Sequence, residues 1–196
     1  VREFKSEKRL NKIKAVAMAR QQSLNLVLEN VHDPHNVSAV LRTCDAAGIP
    51  EVSLLYYLEK FPRIGKKSSA SAVKWIQKEK YTDINECYSN LRNRGFKIYA
   101  TSLSEGSLSL YDINLSEKCA IVLGNEHRGV SDEAAGLADE RIYIPMFGMV
   151  QSLNISVAAA IIIYEAVRQR IEKGLYNKSS LNKKELDKVI DDWCSK

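Results

Sequence analysis

No stretch of this 196-residue sequence strings together the roughly eighteen apolar residues that a membrane-spanning helix needs. The most apolar run, Val157 to Ile163, is short and is followed by Tyr164-Glu165. Nor does any stretch read as a signal peptide, so no membrane partner is expected and a cytoplasmic location is. Cysteine is scarce. The closest two of the four (Cys44, Cys87, Cys119, Cys194) lie 32 residues apart, which excludes a CxxC pair and zinc-knuckle spacing and leaves reduced, packing thiols. There are only three histidines. His32 and His35 flank Asp33, but no further cluster completes a ligand set, and no metal is expected. GxxxxGK and GxGxxG are both absent, which argues against a Walker loop and a dinucleotide fingerprint.

What is present is a 45% hydrophobic composition, enough for the core of one domain, and a net charge of +5 that is unevenly spread. Residues 1–20 carry Arg2, Lys5, Lys8, Arg9, Lys12, Lys14 and Arg20 against Glu3 and Glu7. Residues 59–80 carry Lys60, Arg63, Lys66, Lys67, Lys74, Lys78 and Lys80 against Glu59 and Glu79. Each run is +5, so the remainder is acidic, and two basic segments on such a body point to a polyanionic partner.

Hydrophobic periodicity predicts helices over 6–22, 35–48, 83–95, 131–139, about 152–173 and 181–194, and strands over 24–30, 52–57, 96–103, 118–125 and 141–146. Strands alternating with helices predict an α/β fold with a mostly parallel sheet and helices on both faces. Ligands in such sheets bind beyond the carboxyl ends of the strands. Three segments follow those ends: "ATSL", "LGNEHRG" and "IPMFGMVQSLN".

Two readings stay open at each of them. Gly124 suits either an ordinary strand-to-helix turn capped by Ser131 or a close backbone approach to a ligand. Arg42, on a largely apolar helix, is either a structural arginine paired with Asp45 or Glu126 or a guanidinium that grips a phosphate. A capped core helix accounts for Ser152 but leaves Asn154 and the Gly148-Met149-Val150-Gln151 approach without a reason, whereas a pocket for a polar ligand head uses them all.

Taken in order, "ENVHDPHNVSAVLRTCDAAGI", "IVLGNEHRGVS" and "IPMFGMVQSLNISVAAAIIIYEAVRQR" resemble the three motifs of the SPOUT class of RNA 2′-O-methyltransferases. The basic N-terminal helix, "GKKSSASAVKW" and the helical tail resemble the TrmH subfamily, the tRNA (guanosine 18) 2′-O-methyltransferases. The resemblance covers nearly the whole chain. It implies a C-terminal deep trefoil knot (about 118–170) in a SPOUT domain at 23–175, a basic helical extension at 1–22 and a tail at 176–196. It implies S-adenosylmethionine, leaving as S-adenosylhomocysteine, near Thr101, Leu123, Gly124, Ile144, Met149 and Leu153. The catalytic set it implies is Asn36, Arg42, Glu126, Ser152 and Asn154. With the basic runs, tRNA is expected to lie on Lys5, Lys8, Arg9, Lys12, Arg63, Lys66 and Lys67. A homodimer is implied, with the partner chain completing each site. Rival readings are a 2′-O-methyltransferase of ribosomal RNA or another tRNA position, a non-catalytic RNA-binding protein, and a nicotinamide-dependent enzyme, which the missing glycine motif disfavours.

Overall fold

Successive residues of the central strands divide between two cores, which is how one sheet buries both its faces. In the computed structural model, which describes residues 2–64 and 72–196, seven strands form one sheet: β1 Leu24–Glu29, β2 Glu51–Leu55, β3 Gln77–Tyr81, β4 Lys97–Thr101, β5 Leu108–Ser109, β6 Cys119–Leu123 and β7 Glu140–Tyr143. Their order is β3-β2-β1-β6-β4-β7-β5 and every pairing is parallel. Leu26 and Leu28 of β1, with Ile121 and Leu123 of β6, pack on one side with α2 (Pro34–Ala46) and α5 (Ile155–Glu172). Val27, Ala120 and Val122 face the other side, with Cys87, Tyr88 and Leu91 of α3 (Ile84–Asn93) and Ala134 of α4 (Asp132–Leu137).

That division creates a crevice. The helix following β1 lies on one face and the helix following β6 on the other, yet β1 and β6 are adjacent. The chain therefore diverges at their carboxyl ends, the position at which open α/β sheets bind ligands.

The two terminal helices, α1 (Glu7–Met18) and α6 (Lys183–Ser195), pack on each other through Ile13, Ala17, Ile190, Trp193 and Cys194. Trp75 joins this small cluster, its ring 5.3 Å from that of Trp193. Two members of the first basic run serve this packing. Arg2 pairs with Asp187 at 2.9 Å and Asp191 at 2.7 Å. Arg20 is buried, bonds Asp45 at 2.5 Å and the Ile49 carbonyl at 3.1 Å, and lies 5.0 Å over the Trp193 ring. Gly48 ends α2 with φ +79°; a Cβ there would also meet the Ala19 carbonyl oxygen at 2.9 Å.

The sequence-predicted elements are all present with small shifts, but two strands were not anticipated. β3 (QKEKY) is an edge strand with one buried residue, so it carries charge instead of apolar alternation. β5 has two residues, too few for any periodicity. The long helix starts later than expected: Asn154 is its N-cap and Ser152 lies outside it.

At its far end α5 is held by Arg170, which is fully buried and has no carboxylate partner among the described residues. Its guanidinium donates to the carbonyls of Leu115, Ser23 and Glu117, to Ser23 Oγ and to Gln21 Oε1. An orphaned buried carbonyl costs about 1–3 kcal/mol. Arg170→Met is therefore expected to lower stability by about 3 kcal/mol or more, read from the urea midpoint. Loss of exposed Arg168, which pairs with Glu165 and Glu172, should leave that midpoint nearly unchanged. Equal effects at both positions would contradict this account.

Candidate active site

The turn after β1 depends on Asn30, the one non-glycine described residue with positive φ (48°). Its Oδ1 accepts the backbone N–H groups of Tyr57, Leu58 and Glu59 at 3.1, 2.9 and 3.2 Å, fixing the loop after β2. Asn125 Nδ2 donates to the Asn30 carbonyl at 2.8 Å, and Asn125 Oδ1 accepts the N–H groups of His127 and Arg128. Asn125 and Gly129 then close a tight antiparallel turn. This turn folds over Gly124, where a Cβ would lie 2.0 Å from the Gly129 backbone. The close approach that Gly124 permits is thus first to its own chain.

Between these turns sits the carboxylate of Glu126. It accepts the N–H of His32 at 2.9 Å, the N–H of Asp33 at 3.1 Å and Asn36 Nδ2 at 2.9 Å. Asn36 Oδ1 accepts in turn from Asn154 Nδ2 at 3.2 Å. Asn154 Oδ1 accepts the Ser156 N–H at 2.8 Å and so caps α5. The start of α2, the turn after β6 and the start of α5 are thereby joined by three side chains, all anticipated from sequence. Burial alone would raise the Glu126 pKa, but the bonds from Asn36 and the backbone of His32 and Asp33 outweigh it and hold the group below the usual carboxylate range.

The two other members of the set stand apart. Arg42 is exposed on α2 and has no hydrogen-bond or ionic partner among the described residues. Its suggested structural partners are taken, Asp45 by Arg20 and Glu126 by the groups above. The structural-arginine reading is therefore overturned. Ser152 is exposed and likewise without a partner among the described residues. The helix cap falls to Asn154 and not to Ser152, the reverse of the sequence-based reading, because the turn ends two residues later than expected.

Beside the cluster, beyond the ends of β4 and β7, lies an open cleft of about 620 Å³. Leu103, Ser104, Tyr143, Ile144 and Met146 line it, with Gly148, Val150 and Gln151 of the approach to α5. Of the six residues expected around a cofactor, Ile144 is in this wall. Met149 and Leu153 belong to the approach and are exposed, Met149 almost fully. Thr101, Leu123 and Gly124 end β4 and β6, and Thr101 Oγ1 donates to the Val122 carbonyl at 3.1 Å. Leu103 closes the "ATSL" segment singled out from sequence, whereas Ser104 and Tyr143 were missed, although each lies within two residues of a predicted strand end.

On α1, Lys8, Arg9 and Lys12 are exposed and Lys5 is half-buried; the Arg9 guanidinium lies 5.5 Å from the Trp75 ring centre. Arg63 is exposed, and Lys66 and Lys67 lie outside the described residues.

The sequence pattern of the SpoU rRNA Methylase family matches residues 23–164. The tRNA (guanosine(18)-2'-O)-methyltransferase of Thermus thermophilus is 43% identical over 192 residues, spanning 98% of this chain and 98% of that protein. The crystal structure of the Aquifex aeolicus TrmH/SpoU tRNA modifying enzyme superposes with a TM-score of 0.90 at 40% identity, covering 96% of each chain. An AdoMet-bound rRNA methyltransferase from Sinorhizobium meliloti superposes at 0.67 with 27% identity, over 79% of this chain and 59% of that one.

A carboxylate whose folded pKa is depressed stabilises the fold above its unfolded pKa of about 4.3 and loses that contribution as pH falls through the folded value. Glu126→Gln is therefore expected to be less stable than the parent at pH 7. The gap should narrow progressively below about pH 4, measured by thermal melting across pH. A gap that does not depend on pH would mean that the ionised carboxylate is not what holds the two turns together.

Proposed function

The chain belongs to the SpoU rRNA methylase family, and on that premise we propose that it transfers a methyl group from S-adenosylmethionine to the ribose 2′-hydroxyl of guanosine 18 in tRNA. The observation that carries this reading is the Asn36–Glu126–Asn154 cluster in a chain that matches a tRNA guanosine-18 enzyme from end to end. A ribosomal RNA substrate is less well supported, since the ribosomal neighbour is matched over only 59% of its length.

The cleft suits the methyl donor. Its volume falls in the roughly 300–1,000 Å³ range of small-molecule sites, and it combines apolar walls (Leu103, Ile144, Val150) with polar groups (Ser104, Gln151). Thr101, Leu123, Gly124, Met149 and Leu153 would hold the donor with them. When bound, it supplies an electrophilic methyl on a sulfonium, so the protein's task is mostly orientation.

The polar cluster performs that task. Each carboxamide has two N–H donors; Asn36 and Asn154 commit one apiece within the cluster, leaving one each for the ribose. Glu126, ionised and bonded by three donors, positions these amides and is not the proton acceptor. Arg42 holds the neighbouring phosphate in its planar fork and favours the alkoxide electrostatically. Ser152 adds a hydroxyl on the approach.

Arg42 has no hydrogen-bond or ionic partner among the described residues, and in this reading it serves a site completed by a second copy. The dimer surface is the outer stripe of α5, where Val157, Tyr164 and Ile171 recur every seven residues and are exposed. Phe147 and Met149, each 99% exposed, extend it. The family's trefoil knot is formed by residues of about 118–170. The body at 23–175 carries the chemistry. The α1–α6 pair (1–22 with 176–196) carries Lys5, Lys8, Arg9 and Lys12 toward tRNA, joined by Arg63, Lys66 and Lys67. Its site of action is the cytoplasm.

Labelled methyl groups should appear at guanosine 18 of unmethylated tRNA, mapped by nuclease digestion; label confined to ribosomal RNA would overturn the substrate assignment. Arg42→Ala should lower kcat roughly a hundred- to a thousandfold with donor binding nearly intact, and Arg42→Lys should recover little. Near-normal turnover of Arg42→Ala would remove it from the site.

Sedimentation equilibrium should give a species of about 44 kDa, twice the 22.1 kDa chain. Charges placed on the stripe (Val157→Asp with Tyr164→Asp) should yield monomers that have lost turnover. A monomer with full activity would refute the shared site.

A further inference from the structure

A second, smaller cavity of about 230 Å³ opens at the β1/β6 crevice, apart from the donor cleft. That volume lies below the roughly 300 Å³ at which pockets for cofactor-sized ligands begin. Its wall includes Glu29, Tyr57, Leu58, Asn125, Arg128 and Asp132. Asn125 is in the wall and the next residue, Glu126, is in the catalytic cluster. A nucleotide with its ribose at Asn36 and Asn154 thus has its base within reach of this cavity.

The cavity is built rigidly. Glu29 is 2% exposed. Its Oε1 accepts Ser131 Oγ at 2.6 Å and the Tyr57 hydroxyl in a short bond, and its Oε2 accepts the Ser131 N–H at 2.9 Å. The Tyr57 ring is locked by its hydroxyl, which burial and the Glu29 contact keep protonated with a pKa of about 12. A fixed aromatic wall beside an exposed Leu58 is a stacking platform for a base. At the rim, one Arg128 nitrogen bonds Glu59 at 2.9 Å, leaving the rest of the guanidinium fork available. Asp132 has no hydrogen-bond or ionic partner among the described residues. Two carboxylates in the wall repel a phosphate.

A guanidinium and a carboxylate on one rim complement guanine in particular. Guanine shows O6 and N7 as acceptors, suited to an arginine, and N1–H and N2–H₂ as donors, suited to a carboxylate. Adenine would set its N6 donors against the arginine. Resting on the function proposed above, we infer that this cavity receives the guanine of the methylated nucleotide, with Arg128 reading O6/N7, Asp132 reading N1–H/N2–H₂ and Tyr57 stacking on the ring. Base selection is thereby separated from methyl transfer by one turn of chain.

The test compares tRNA carrying guanosine, 7-deazaguanosine (no N7 acceptor) or inosine (no N2 amino group) at the methylated position. It uses the full-length wild type, Arg128→Gln and Asp132→Asn, with melting temperature and S-adenosylmethionine affinity measured for each. Wild type should lose roughly ten- to a hundredfold in kcat/KM on either analogue. Arg128→Gln should lose a similar factor on guanosine and stop distinguishing it from 7-deazaguanosine. Asp132→Asn should stop distinguishing it from inosine. Donor affinity and melting temperature should be unchanged. If both variants keep the wild-type ranking of the three bases, the base is read elsewhere and the inference is wrong. An equal loss on all three substrates also overturns it, because Arg128 then only steadies Glu59 and its loop. A wild type that discriminates normally leaves the proposed function standing in either case, whereas a wild type that methylates no tRNA ends both.

Discussion

The carboxylate of Glu126 is the tie on which the working end of this protein depends. The carboxyl ends of β1 and β6 diverge to opposite faces of the sheet, and nothing in a parallel ladder holds the chains together once they leave it. Glu126 does so by accepting two backbone N–H groups from the turn after β1 and the amide of Asn36. Asn36 extends the tie to Asn154 and therefore to the start of α5. The same helix is fixed at its other end by Arg170, through carbonyls that precede β1 and β6. An apolar helix pinned at both ends to the strands it crosses has little freedom to slide. The polar residues that open it are then held in place as firmly as its core.

Burial also separates the acidic groups from the free basic ones. Glu29 and Glu126 lie at adjacent strand ends, yet each is saturated by donors of its own chain. Arg42 and most of the Arg128 fork are left free for a ligand. Under the proposed function, a nucleotide meets the remaining amide N–H groups of Asn36 and Asn154 at its ribose and the Arg42 guanidinium at its phosphate. The carboxylates on its route are already occupied, Asp132 excepted. The arrangement lets an acidic wall coexist with a polyanionic substrate.

Much of this was legible in the sequence. Every long helix and every apolar strand follows from periodicity, because burial imposes the period. Asn36, Glu126 and Asn154 were named from motifs, and the chain brings them together across 90 and 118 positions. What failed to show has physical causes. β3 is charged because it is an edge. At Gly124 the sequence left a turn and a close ligand approach both open; a side chain there is already excluded by the turn of its own backbone. Arg2 and Arg20 counted toward a basic run, although one is paired to α6 and the other is buried against Asp45 and Trp193. Charge counting cannot distinguish a cation aimed at solvent from one that holds two elements together. Glu29, Tyr57 and Ser131 meet across 28 and 102 positions with no shared motif, so the second cavity is a product of tertiary structure alone.

The helix α2 links these levels. Its first turn carries Asn36 in the cluster, its middle carries the unpaired Arg42, and its last turn carries Asp45, which grips Arg20. Arg20 lies against Trp193 of α6, and α6 packs on the basic face-bearing α1. One rigid helix thus runs from the polar cluster to the terminal pair. Under the proposed function, RNA on α1 is thereby referenced to the helix that presents Asn36. The Arg20–Asp45 pair, with its guanidinium buried and its carboxylate half-buried, has little influence on chemistry by itself. Its influence is geometric, because it ties the terminal helix pair to the helix that carries Asn36 and Arg42.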